Sequence, residues 1–420
     1  MAHSVADLKA KFSNPTPAEL ELIARYAMLP ESGQRERVFE AFAKTGLPHR
    51  RMEAWKWTDL RAALRVVEAA DKPAQAAALP MAEVAAVIRF SAGGVSQPEA
   101  LPDGLKLFPK YEAQALGDAE DAPLAAMTAA LAGRKGGLDT LIVEVTGEVA
   151  TPLHIVCEGD RDETNFARVA IVVRPGASLD LIESHGGGAG FSSFLLEVGI
   201  QDGAQVRRTV LQRGSKDEVQ GITSLVHLGE TSKYTQTVLA FGAKAARIET
   251  RLTHRGSESH AEMNAAYLCA DGYHADITSH VRHGAPSSVT RQLTKGAVLD
   301  GGTGVFQGKF LVPKVVGQHT DADMQHQALL LEDGAQVFAK PELEIYADDV
   351  ECAHGNTSGA LDENQLFYLR QRGIPEKQAR AMLTEAFIAE ALEEASEGVA
   401  EALLDAARHF LSETSGAQPQ

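Results

Sequence analysis

Cysteine is scarce in this 420-residue chain: Cys157, Cys269 and Cys352 are the only three, far apart and odd in number. That excludes a disulfide framework, and no CxxC pair is present to form a self-contained zinc or iron–sulfur cage. Long apolar runs are missing as well. No window approaches the roughly eighteen apolar residues that a membrane-crossing helix needs, so no membrane association is expected. Residues 1–20 carry an aspartate and no apolar stretch. They do not read as a secretory signal, and a reducing, cytoplasmic setting is expected. Positive charge is in deficit: 40 Lys and Arg against 57 Asp and Glu give a formal charge of −17. Such a chain repels phosphate backbones, so nucleic acid is not an expected partner.

Nucleotide and hydrolase motifs fail on inspection. "GTGVFQGKF" (302–310) lacks the first glycine of a phosphate loop, where Thr303 stands, and the Ser or Thr after the lysine, where Phe310 stands. It reads as a turn between strands. "HGGG" (185–188) imitates a lipase oxyanion loop, but no GxSxG elbow accompanies it, and it reads as a flexible loop. No nucleotide is expected on this chain.

Three textures are present. Residues 1–137 read mostly as helices and loops, with apolar residues three and four apart in "PAELELIARYAML" and "GQRERVFEAFAKTG". Residues 138–345 hold short β-branched runs such as "TLIVEV", "ARVAIVV" and "RIETRLTH", separated by glycine turns. The turn glycines fall at 176, 203, 229, 256, 284 and 334. Their differences are 27, 26, 27, 28 and 50, the last read as two steps of 25. A near-constant period in strand-rich sequence suggests stacked coils, with a β-sandwich of regular turns as the alternative. Residues 346–420 return to helix. Asp362 is placed to cap "ENQLFYLRQR", Gly373 to stop it and Pro375 to start the next helix in its first turn. Ala379, Leu383, Phe387, Ile388 and Leu392 form an apolar stripe there, fit to cover the chain's own β-core or another subunit.

Candidate site residues cluster late. "DVECAHGNT" (349–357) sets Cys352 and His354 two apart, so on a strand both point to one face. They could hold a metal, act as a pair, or be a small buried hydrophobe and a hydrogen-bonding histidine. Glu342 and Glu344 would share a strand face too, as acid and base or as a solvated face. Paired carboxylates on a β-helix would also suit a carbohydrate-active enzyme. Seven histidines between His254 and His326 read as solvated or hydrogen-bonded rather than as a metal ladder.

The run "KPELEIYADDVECAHGNTSGALDENQLFYLRQRGI" (340–374) closely resembles the signature of the SufB/SufD family of iron–sulfur cluster assembly proteins, and "RMEAWKWTDL" (51–60) resembles an N-terminal motif of that family. The resemblance implies a mainly β fold: a right-handed parallel β-helix core flanked by N-terminal and C-terminal helical domains. It also implies a non-enzymatic scaffold in a complex of SufB, SufD and the ATPase SufC, with SufC docked on the C-terminal helices and nucleotide chemistry left to that partner. A homodimer in isolation and a reduced flavin in the complex stay open. Two departures point to the SufD side of the family rather than to a SufB-like scaffold that builds clusters alone. Asp333 stands where SufB carries a sulfur-receiving cysteine before its Gly-Ala turn, and Gly355 follows His354 where SufB has glutamate. Carried over, His354 and Cys352 face a transient Fe–S cluster shared with SufB, His354 being a metal ligand.

Overall fold

A computed structural model of the chain describes residues 4–30, 32–64, 86–91, 94–110, 122–133, 140–158, 165–187, 190–396 and 398–414. The N-terminal helices are α1 (Val5–Ala10), α2 (Pro17–Ala27), α3 (Gly33–Thr45) and α4 (Leu60–Ala63), joined later in the chain by α5 (Pro123–Leu131). The start of α2 is written in its sequence. Thr16 and Glu19 form a reciprocal capping box around Pro17, satisfying backbone N–H groups that the first turn leaves free.

The strands form two sheets. The first holds β1 (Ala86–Ser91), β2 (Gly94–Ser96), β5 (Leu153–Glu158), β7 (Ser178–Gly186) and β9 (Gln205–Arg213). It continues through β11 (Lys233–Phe241), β13 (His260–Cys269), β15 (Val289–Val298), β17 (Asp321–Leu330) and β19 (Glu351–Gly359). The second holds β3 (Leu105–Lys110), β4 (Thr140–Val145), β6 (Asn165–Val173), β8 (Gly190–Ile200) and β10 (Glu218–Leu228). It ends with β12 (Ala245–His254), β14 (His274–His283), β16 (Thr303–Val312) and β18 (Gln336–Ile345).

From β4 onward the chain alternates between the sheets, and from β5 onward each strand pairs in parallel with the strand one coil before it. The result is a β-solenoid of about eight turns with helices at both ends of the chain. Inward residues stack coil on coil: Leu179, Val206, Tyr234 and Ala261 occupy one register line of the core. The fold is thus the stacked-coil reading and not the sandwich. The strand-pairing offsets are 27 residues from Lys233 to His260, 29 from there to Val289 and 32 from there to Asp321.

Two glycine-bearing stretches differ from what their sequence suggests. Gly176, Gly203, Gly229, Gly256 and Gly284 all lie in turns from the second sheet to the first, but Gly334 lies between β17 and β18, on the opposite side of the coil. Its distance of 50 from Gly284 is therefore no double step. "GTGVFQGKF" is no turn either: Thr303–Val312 is strand β16, and its glycines serve packing. A Cβ on Gly304 would lie 2.3 Å from the Tyr267 ring, and one on Gly308 would lie 2.3 Å from Met324 Sδ. Of "HGGG", His185 and Gly186 end β7, while Gly188 lies outside the described residues.

The boundary expected near 137 also lies outside the described residues. Within the first 137 residues β1 pairs in parallel with β5, and β3 pairs antiparallel with β4. At the other end strand pairing runs through Gly359, past the expected edge at 345, because β19 continues the β17 ladder.

The helices cover opposite outer faces. The aromatic cluster of α1 to α3 and the mostly apolar α5, buried from Leu124 to Leu131, pack on second-sheet residues Phe166, Phe191, Leu195 and Val219. The C-terminal helices are α6 (Glu363–Gln371), α7 (Glu376–Ala389) and α8 (Ala400–Thr414). Ile388, Leu392, Leu403, Ala407 and Phe410 pack on Leu211, Leu239 and Leu268 of the first sheet and on Leu299 just after β15. The stripe thus covers the chain's own core. Asp362 caps α6 and Gly373, at φ 83°, follows it; Pro375 is the N-cap of α7 rather than a first-turn residue.

Candidate functional site

The two ends of the solenoid differ. At the first coil, β2 pairs antiparallel with β1 and β3 with β4, turning the ladder back on itself. At the last coil, β18 pairs only with β16 and β19 only with β17, so both sheets end on unpaired edges among the described residues. An unpaired strand edge displays free N–H and C=O groups and readily accepts another chain. Exposed Ile345 and Tyr346 close β18 and begin the link to β19.

Strand alternation fixes what β19 presents. Cys352, His354 and Asn356 sit in register on Ala322, Met324 and His326, three buried residues of the preceding coil. The two residues expected as a pair therefore do share a face, the one that continues the solenoid core. Cys352 is half-buried against that core, and His354 is exposed. Burial first, and the Asp321 carboxylate second, push the Cys352 thiol up from its ordinary value, partly offset by a backbone hydrogen bond at Ala322. The sulfur is accordingly a protonated thiol at neutral pH, and metal binding there must displace the proton. Gly355 faces the other way, and a Cβ there would lie 2.2 Å from Gln325 Oε1, so a larger residue would push the Gln325 amide aside. Among the described residues, no three His, Cys, Asp or Glu side chains are arranged to hold a metal ion. Cys352 and His354 are two donors at the rim of an unfinished coil.

The other flagged residues have other partners. Glu344 accepts from Lys309 at 2.6 Å and Glu342 pairs with Lys340 at 3.1 Å. These carboxylates are an ion-paired surface row lining a cavity of about 210 Å³. Five of the seven histidines, His254, His274, His283, His319 and His326, are hydrogen-bonded or ion-paired. His254 and His283 stack at 4.8 Å and bond Ser259 and Ser288 at 2.8 Å each; His319 meets Asp349 at 2.9 Å. Burial lowers His283 to about 4 and His254 well below its ordinary value, so both are neutral core groups. Asp333 lies in the β17–β18 turn.

"RMEAWKWTDL" is a clasp between the N-terminal segment and the second sheet. Arg247 stacks over Trp55 at 3.9 Å, donates to the Ala54 carbonyl at 2.8 Å and is ion-paired with Glu249 and Asp276. Thr58 bonds Asp276 at 2.5 Å, and Trp57 stacks on Phe338 at 5.8 Å. Burial disfavours each charge, but the facing guanidinium holds Glu249 at about 2.

Two polar groupings inside the solenoid escape sequence reading. Glu183 accepts two hydrogen bonds from Arg208, at 2.7 and 2.9 Å, while Gln236 accepts from Arg208 and Tyr234. Nearer the rim, His326 bonds Tyr267 and Asn356. Inward parity of polar residues in successive strands was the signal available for both.

A family model described as "SUF system FeS cluster assembly, SufBD core domain" matches residues 155–387, just over half of the chain. An iron–sulfur cluster assembly SufBD family protein of Synechocystis sp. is 28% identical, over 90% of this chain and 91% of its own. The chloroplastic protein ABCI7 of Arabidopsis thaliana is 30% identical over 56% of this chain and 51% of its own. The iron–sulfur cluster assembly protein SufD of Escherichia coli is 38% identical over a stretch covering 36% of each chain.

Proposed function

This chain belongs to the SufBD family of iron–sulfur cluster assembly proteins, and we propose that it acts there as a SufD-type scaffold subunit. In this reading a homologous SufB-type subunit meets the unpaired last coil, and the two chains share a transient Fe–S cluster as cargo. The observation that carries the reading is the pairing of an unfinished solenoid end with two soft-to-intermediate donors, Cys352 and His354, on its core-side face. Two donors cannot enclose a cluster, so the partner supplies the rest. Thiolate and neutral imidazole both suit iron, and a half-protein site suits a cargo that must leave. His354 is the more accessible donor of the two, since it is exposed whereas Cys352 is half-buried against the core. Asp333 in place of a cysteine supports sulfur arriving through the partner rather than through this chain.

An ABC-type ATPase of the SufC kind docks on the C-terminal helices, and the site is narrower than the apolar stripe suggests. That stripe is spent on the first sheet, whereas α6 leaves Phe367 and Tyr368 largely exposed, at 63% and 56%. Exposed aromatics on one helix make fitting anchors. The scaffold works in the cytoplasm and performs no turnover of its own.

The test is His354→Ala in the complex co-purified with the SufB-type and SufC-type partners. The expected result is an intact complex with most of its cluster lost. An intact complex with normal cluster yield would remove His354 from the site.

A further inference from the structure

The row on β19 does not end at His354. Asn356 is next on the same face, and its Oδ1 lies 2.6 Å from Nδ1 of His326. His326 is fully buried, and its Nε2 lies 3.0 Å from the hydroxyl of Tyr267, also fully buried. The imidazole stacks flat on Phe306, with centroids 4.7 Å apart and planes 2° off parallel. Space for this chain of groups is cut from neighbouring strands: a Cβ on Gly296 would lie 2.1 Å from the Tyr267 ring, and one on Gly304 would lie 2.3 Å from it. Gly296 and Gly304, on two strands, carry no side chain where the Tyr267 ring lies, and Thr294 is the buried register neighbour of His326 on the coil before.

Burying two polar rings adds little to core stability compared with apolar groups of the same size. What the arrangement does is fix one exposed amide. Asn356 Oδ1 accepts from the Nδ1–H of His326, which leaves Nε2 to accept from Tyr267. With its oxygen held at His326, the exposed Asn356 amide has its NH₂ as the end not used in that bond, two residues from His354 on the same strand face. An outward N–H pair beside a metal–sulfur species is a hydrogen-bond donor to its sulfur. Such donors stabilise the anionic sulfur and raise the cluster's reduction potential.

We propose that Asn356 is a further cargo-binding residue: its amide nitrogen, aimed by His326 and Tyr267, donates to a sulfur of the iron–sulfur species at Cys352 and His354. His326 and Tyr267 are positioning residues for it. The inference rests on the functional reading above and is tested separately from it.

The experiment uses the co-purified complex, reconstituted anaerobically with ferrous iron and sulfide. Asn356→Ala should leave assembly intact, shift the cluster's reduction potential to more negative values and speed its loss to a chelator several-fold. Asn356→Gln, which keeps a donor amide on that face, should restore part of both. His326→Phe, which keeps the stack on Phe306 without the hydrogen bond, should reproduce the Asn356→Ala effect. A purely structural role would lower the melting temperature and leave the potential where it was, so an unchanged potential and retention in Asn356→Ala overturns the inference while the functional reading stands. A wild-type complex that takes up no cluster overturns the functional reading, and the inference with it. A cargo-free measurement checks the orientation: nitrogen NMR of the histidine-labelled chain should find His326 neutral and protonated at Nδ1. Protonation at Nε2 would turn the amide the other way and overturn the proposal.

Discussion

Replacing Gly304 by alanine puts one methyl group where the ring of Tyr267 already is. The added Cβ would lie 2.3 Å from Cε2 and 3.0 Å from Cζ. Carbon atoms in a packed interior rest roughly 3.5–4.0 Å apart, so the overlap exceeds one ångström. The ring has little room to retreat, because Tyr267 is fully buried and its hydroxyl is tied to His326. Overpacking of this kind costs about 1–3 kcal/mol, and a rigid aromatic neighbour places Gly304→Ala at the upper end. Tyr267→Ala alone costs about 3–5 kcal/mol as a cavity. Together the two should cost clearly less than their sum, with a coupling of roughly 1 kcal/mol or more, since the new methyl enters the space the ring left. Urea unfolding followed by circular dichroism reads the midpoints, and hydrogen exchange across β13 to β17 locates the loss in the last coils. An unshifted midpoint for Gly304→Ala, or costs that simply add, would refute the claim that these glycines exist to house the phenol.

Arg247→Ala leaves Glu249 and Asp276 buried with much of their compensation gone, at about 3–5 kcal/mol, and should loosen residues 53–58 in hydrogen exchange; unchanged protection there would contradict the clasp. Acid should destabilise the solenoid well before carboxylates titrate. Burial holds His283 and His326 at about 4, against an ordinary 6.5, so the unfolded chain takes up protons first. Stability present above pH 6.5 is lost as pH falls toward 4, by up to about 1.4 kcal/mol per pH unit for each histidine, and a flat urea midpoint between pH 7.5 and 5 would contradict it. Phe367→Ser with Tyr368→Ser should leave the melting temperature of the isolated chain unchanged and abolish co-purification with the ATPase; retained binding would move the docking site off α6.

The sequence carried the architecture because one coil is one repeat, so strand runs and turn glycines recur wherever the chain reverses. It misled where glycine served another end. Gly304 and Gly308 looked like turn residues because the side chains they make room for, Tyr267 and Met324, lie on the facing sheet and far off in sequence. Gly334 fitted the period only by arithmetic, since a glycine gives no sign of which side of the coil its turn occupies. The shared face of Cys352 and His354 was legible from strand parity alone. Asn356 was not, since its role depends on His326, thirty residues earlier and one coil below. The apolar stripe after Pro375 could not name its own target; only the fold shows it covering the first sheet and leaving Phe367 and Tyr368 bare.

In the proposed function β19 lends His354, and with it Cys352, to a cluster completed by a second chain. Anomalous diffraction at the iron edge, from crystals of the anaerobically reconstituted complex, tests it most directly. The expected result is an iron peak bonded to the His354 ring at the meeting of the two last coils, with further ligands from the partner. Iron held wholly by the partner, or bound on this chain away from β19, would contradict it.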